Sequence, residues 1–236
     1  MKHPVLLIAA ISTLLAACAK ELNDGKDMPA KHPSSTAQMK RPHSDTIKFN
    51  SVLGFLTGST TTIGNGSSDR TAYPSTEIMA GVWTVGGTAY ALNGYFFTTQ
   101  ALAPNANDIQ SATLVLFSNP TPLNGDRIHA NSGTYNGFYV QRVTGNWDIF
   151  NLGAIRWGSQ PVATTTDQVL IPHTDLPFLD LEVDVTAMVR RAVTNGETVI
   201  GFKLKPVATS PLNMRNFVSC DHERTDLQPR LLIDYN

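Results

Sequence analysis

Period-two alternation of apolar and polar residues runs through most of the chain from residue 46 onward. Leu179, Leu181, Val183 and Val185 point to one side of an extended backbone, and Asp180, Glu182 and Asp184 to the other. That is the pattern of a half-buried strand with one wet face. Ile47, Phe49, Leu53 and Phe55 predict a shared face within 46–56, and Ile78, Ala80 and Val82 do the same within 76–83. Residues 112–118, Ala-Thr-Leu-Val-Leu-Phe-Ser, are apolar on both faces and fit a central strand. Further strands are predicted near 88–98, 134–143, 152–158, 168–171, 198–205, 214–219 and 229–235, separated by Gly, Asn, Pro and Ser clusters. One stretch changes period. Val185, Met188, Val189 and Ala192 share a face at helical spacing, Asp184 or Thr186 can cap the start, and Asn195-Gly196 supplies a left-handed stop. Many strands, short turns and a single short helix predict an all-β fold, an antiparallel β-sandwich of jelly-roll type. Periodicity alone does not separate that topology from an immunoglobulin-like one.

The first residues follow another rule. Met1-Lys2-His3 precedes a short apolar run containing Val5-Leu6-Leu7-Ile8 and Leu14-Leu15. The run is shorter than the ~20 apolar residues of a spanning helix, so residues 1–17 read as a signal peptide. It closes on Leu15-Ala16-Ala17-Cys18, which resembles a bacterial lipobox. Cys18 is thus the expected site of lipidation, and several acyl chains there give stable membrane anchoring. Residue 19 is Ala rather than the Asp that retains lipoproteins at the inner membrane, which favours the outer membrane. Residues 18–45 then form a lipidated, disordered tether: charged, rich in proline, and too poor in apolar side chains to offset their ordering entropy. Residues 46–236 form one domain, long enough for a substantial core. With Cys18 spent on lipid, Cys220 has no disulfide partner and is expected as a small buried hydrophobe.

Charge narrows the partners. Loss of Lys2 with the signal leaves 17 basic and 19 acidic residues. The tether holds 5 and 4 of these, which leaves the domain 12 and 15, a net charge of −3. Nothing here points to a nucleic-acid binder.

No catalytic set emerges, and the chain is not expected to be an enzyme. His129, His173 and His222 lack zinc-site spacing, and His222 lies in a charged run, Asp221-His222-Glu223-Arg224, that reads as a solvated turn. No cofactor is called for. A structural calcium is the metal alternative, at Gly64-Asn65-Gly66-Ser67-Ser68-Asp69 or along Asp180, Glu182 and Asp184, where oxygen donors are plentiful. Aromatic rings suit sugars because a flat ring stacks on an apolar sugar face. Trp83, Tyr90, Tyr95, Tyr135, Tyr139, Trp147 and Trp157 are available; Trp83, Tyr90 and Trp147 are the candidates, whereas Trp157 alternates with Ile155 and is expected to face the core. Arg142 and Arg156 alternate with Val143 and Trp157, which predicts an outer, ligand-facing surface; Arg70 is a third cationic candidate.

Several segments, in order, resemble the DNRLRE domain family, some of whose members are classed as carbohydrate-binding modules. Ile109-Gln110-Ser111-Ala112-Thr113-Leu114-Val115-Leu116 looks like its "I-x-S-A-x-L-x-L" strand. Gln141-Arg142-Val143-Thr144 to Trp147, with Ile155-Arg156-Trp157-Gly158-Ser159-Gln160-Pro161, looks like its paired-tryptophan segment. Val183-Asp184-Val185-Thr186 is similar to its "V-D-V-T" helix start, and Gly201-Phe202-Lys203-Leu204 to its "G-F-x-L" strand. Phe217-Val218-Ser219 and Pro229-Arg230-Leu231-Leu232-Ile233-Asp234-Tyr235 look like its closing strands. Upstream, Tyr95-Phe96-Phe97-Thr98-Thr99 stands where the family has an Arg-containing strand. The resemblance implies a jelly-roll sandwich without catalysis of its own that binds polysaccharide at the cell surface. The alternative is a structural or adhesion protein that binds another envelope protein.

Overall fold

Ile47, Leu231, Leu114 and Val183 form one row across four antiparallel strands, every one of them buried. These strands are β1 (His43–Lys48), β14 (Arg230–Tyr235), β7 (Ile109–Leu116) and β11 (Leu181–Asp184), in that spatial order. They make one layer of the molecule, seen in a computed structural model that describes residues 43–48, 51–52, 55–56, 58–64, 76–98, 102, 105–123, 125–145 and 156–236. The predicted signal, Cys18, most of the tether, Arg70 and Trp147 lie outside these residues.

The second layer is an eight-stranded antiparallel sheet. Its main path runs β10 (Ala163–Ile171), β9 (Phe138–Val143), β12 (Gly201–Pro206), β6 (Thr88–Thr98), β5 (Glu77–Val85), β13 (Asn213–Val218) and β8 (Asn131–Ser132). The eighth strand, β4 (Gly58–Gly64), pairs with the second half of β6. Ile78, Phe96, Phe138, Val140, Phe202, Leu204 and Phe217 pack from this sheet against the apolar row of the first, forming a common core. The fold is therefore the antiparallel β-sandwich predicted from alternation.

The helix α1 (Thr186–Thr194) buries the four predicted positions, Val185, Met188, Val189 and Ala192, in that core. Asp184 fixes its start by accepting hydrogen bonds from the Thr186 backbone N–H at 2.9 Å and hydroxyl at 2.6 Å. These two bonds, the hydroxyl's first, hold the Asp184 carboxyl below the usual carboxylate range. The helix stops at Gly196, whose φ is +75°. Gly196 N–H donates to Val193 O and Glu197 N–H to Ala192 O, each at 2.9 Å. This paired closure is a Schellman stop, which needs a residue tolerant of positive φ.

Three expectations change. Residues 46–56 do not form one strand: β1 starts earlier, at His43, and β2 (Ser51–Val52) pairs with β3 (Phe55–Leu56) as a separate two-stranded unit. Val52 lies opposite Phe55, so this apolar run turns back on itself. At the end of the predicted strand 152–158, Trp157–Ser159 form a 3-10 turn, and Trp157 is half-buried outside the core cluster. Local bonds cause this: Arg156 N–H donates to the Ser159 hydroxyl at 2.9 Å and Ser159 N–H to Arg156 O at 3.1 Å, closing the chain over one turn. Finally, His222 is buried rather than solvated; its Nδ1 accepts from Arg224 N–H at 3.0 Å, and its carbonyl from Gln228 Nε2 at 3.0 Å. Cys220 is the small buried hydrophobe expected.

Candidate functional site

Pairing register builds a mixed aromatic and polar surface on the outer face of the eight-stranded sheet. Lys203 of β12 lies between Gln141 of β9 and Tyr95 of β6. One step along, Tyr139 of β9 lies between Lys205 of β12 and Leu170 of β10. Paired residues share a face, and alternation places both rows on the side opposite Phe202, Leu204 and Val140, which face the core. Leu170 and Lys205 are exposed, Tyr139 and Lys203 half-buried, Tyr95 and Gln141 buried.

The inner row converges on one oxygen. Gln160, at the end of the 3-10 turn, accepts through Oε1 from Asn93 Nδ2 at 2.9 Å, Tyr95 OH at 2.7 Å and Lys203 Nζ at 3.0 Å. Its own Nε2 donates to Trp157 O at 3.0 Å, which fixes the amide's orientation. Lys203 Nζ also sits 5.7 Å from the centroid of the Tyr95 ring. Beside this cluster, Gln141 Nε2 donates to Gln168 Oε1 at 2.7 Å. Burial, then the neighbouring Lys205 charge, lowers the Lys203 ammonium to a pKa of about 8. Burial raises the Tyr95 phenol well above its usual range, so it remains a neutral donor.

The predicted residues are placed unevenly. Trp83 and Tyr90 come together as cross-strand partners in the β5–β6 hairpin, both half-buried. Arg156 heads the turn that delivers Gln160 to Lys203. Arg142 does not face outward. It is 3% exposed, shares its face with its register partner Phe202, and donates through Nη1 to Glu197 Oε1. The alternation with Val143 is real, but its sense is reversed: Val143 lies on the outer face with Gly201 and Phe97, where it is also buried.

Asp180, Glu182 and Asp184 are exposed, as a solvated face requires, and Asp180 Oδ1 accepts from Ser118 N–H at 2.8 Å. No three His, Cys, Asp or Glu side chains group as metal ligands among the described residues. Of the other calcium candidate only Gly64 lies among the described residues. Sequence reading counts Tyr139 among the available aromatics but names neither Lys203 nor Lys205, and does not bring the three together. The available signal was the alternation Phe202-Lys203-Leu204-Lys205, which puts two cations on one face of an otherwise apolar strand. No family model matches the chain, and no curated protein matches it.

Proposed function

We propose that this chain is a lipid-anchored, non-catalytic protein of the bacterial outer membrane that binds polysaccharide through the outer face of its larger sheet. Lys203 carries the reading. A half-buried ammonium among a phenol and two amides is costly to keep for stability alone, and such perturbed groups concentrate at recognition sites. The exposed flank of the cluster, Leu170, Tyr139 and Lys205, combines an apolar and aromatic floor with a cation, a composition suited to a sugar ring and its oxygens. The sequence resemblance to DNRLRE domains and the lipobox-like Leu15-Ala16-Ala17-Cys18 support the same reading.

Affinity-gel electrophoresis against a panel of neutral and acidic polysaccharides tests the binding. Retardation that is lost in the Lys203→Met and Tyr139→Ala variants is expected, and no retardation by any polysaccharide overturns it. Membrane fractionation tests the anchor: Cys18→Ser should move the protein to the soluble fraction, and continued membrane association would refute lipidation.

A second reading, adhesion to another envelope protein, is favoured by exposed apolar side chains near the β8 edge. Leu176 and Phe178 are exposed on a loop tied to β8 by Asn131, and Tyr135 and Leu212 are exposed on either side of the bond from Tyr135 N–H to Asn213 Oδ1. Stoichiometric binding of a defined envelope protein in the absence of glycan, lost on Leu176→Lys, would favour it over the first.

A further inference from the structure

Arg215 lies wholly inside the sandwich. It is the largest fully buried side chain among the described residues, with 0% exposure. On β13 it is in register with Ala80 of β5, on the core face with Phe217 two residues on. Its guanidinium carbon is 5.7 Å from the ring centroids of both Phe138 and Phe217. Those rings offer their faces to the cation, yet they accept no conventional hydrogen bond. Among the described residues Nε, Nη1 and Nη2 all lack a hydrogen-bond partner.

The neighbouring strand leaves a buried polar atom of the opposite kind open. Asn131 of β8 is the register partner of Arg215 across β13, so the two side chains leave the sheet on one face, a few ångströms apart. Asn131 Nδ2 donates to Leu176 O at 2.9 Å, which fixes the amide, and its buried Oδ1 accepts from none of the described residues. The open donors of Arg215 mark a spot where an acceptor other than protein completes the hydrogen bonding, whereas the open Asn131 oxygen calls for a donor such as a water. Burial lowers the Arg215 pKa only to about 10, so the group stays charged at neutral pH. A water satisfies N–H groups but leaves a buried positive charge uncompensated, which costs several kcal/mol. The Asn131 amide is neutral and does not compensate it either.

We infer that the core of the sandwich binds a small monovalent inorganic anion of the halide class against the Arg215 guanidinium, beside Asn131. The fork of N–H donors presents such an ion with several charge-assisted bonds, and the flanking Phe138 and Phe217 rings exclude bulk water. The anion stabilises the folded state by mass action, because the unfolded chain has no such enclosure. The site is independent of the outer-face glycan surface, so either assignment can fail without the other.

Thermal unfolding of the purified full-length protein, at constant ionic strength with sodium gluconate replaced stepwise by sodium chloride, tests the assignment. A saturating upward shift of the midpoint by ~2–4 °C is expected, absent in Arg215→Met. An equal midpoint in chloride and gluconate overturns the inference without recourse to any variant. Because Arg215→Met can fail to fold, crystals of the wild-type protein soaked in bromide supply a second measurement. An anomalous peak against the Arg215 guanidinium is expected; a chloride-dependent midpoint with every bromide peak elsewhere would equally overturn the site.

Discussion

Arg142 donates through Nη1 to Glu197, tying the core side of β9 to the first residue beyond the glycine stop of α1. The pair is unequal. The Arg142 side chain is 4% exposed and that of Glu197 28%. Glu197 is steadied by Asn195 Nδ2 at 3.2 Å, and Asp167 also feels the Arg142 charge.

That inequality predicts which partner matters more. Glu197→Ala leaves a buried guanidinium without its main counter-charge, at a cost of ~2 kcal/mol or more. Arg142→Met removes the buried charge and leaves a carboxylate that water can reach, so the loss should stay under ~1.5 kcal/mol. Urea unfolding midpoints at constant m-value compare the two directly. A larger loss in Arg142→Met would mean that the packing of the arginine stem, not its charge, is what the fold uses.

The helix stop is a separate test. A Cβ at Gly196 would meet nothing within 4 Å, so crowding plays no part there. The φ of +75° alone should make Gly196→Val cost ~1 kcal/mol or more, with Gly196→Asn cheaper because asparagine tolerates the left-handed region. Equal thermal midpoints for wild type and Gly196→Val would show that the Schellman closure does not hold the helix end.

Those elements were legible because each rests on neighbours in sequence. The stripe Val185, Met188, Val189, Ala192 and the stop at Gly196 are local and stand where the sequence places them, while the cap differs: the N-cap is Val185, neither Asp184 nor Thr186, and Asp184 bonds Thr186 from one residue earlier. Arg142 was not local. Alternation shows that Arg142 and Val143 leave β9 on opposite sides, but not which side meets the other sheet. Contrast in polarity usually decides that, and here it misleads because the middle of the larger sheet is buried on both faces: Tyr95 and Phe97 outside are as buried as Phe96 and Phe202 inside. The Lys203 cluster was illegible for a similar reason. Its common acceptor, Gln160, is 43 residues from Lys203 and 67 from Asn93, and no spacing rule spans such a separation.

Lys203 makes stability depend on pH in a definite sense. Its folded pKa of about 8 lies below the ordinary 10.5, so the unfolded chain binds more protons between those values. Stability therefore rises with pH across that window, and below about 8 the full cost of the buried charge is present. Lys203→Met should stabilise the domain by about 1 kcal/mol at pH 7, a gain that shrinks toward pH 10. Gln160 would keep its bonds from Asn93 and Tyr95 in that variant. Parallel denaturation of wild type and variant at several pH values follows the difference; a gap that does not narrow across the window would show that Lys203 titrates normally.

Ligand charge gives the last prediction. A domain of net charge −3 steers polyanions poorly at long range, so any preference for acidic glycans must arise from contacts on the sheet face itself. Lys203 and Lys205 supply it there, on one face of β12 beside Tyr139. Arg142 is buried against Glu197 and takes no part. We expect weak binding of polyuronates that declines steeply as salt rises, because Lys205 is exposed to screening ions. The double variant Lys203→Met, Lys205→Ala should abolish that component, whereas Arg142→Met and Arg156→Ala should not. Neutral glycans, held by ring stacking, should bind with little salt dependence and respond instead to Tyr139→Ala, or to Trp83→Ala and Tyr90→Ala if the hairpin pair is the platform. Titrations at low and high ionic strength separate these components. Polyuronate affinity that survives high salt and tolerates loss of both lysines would place the site elsewhere on the molecule.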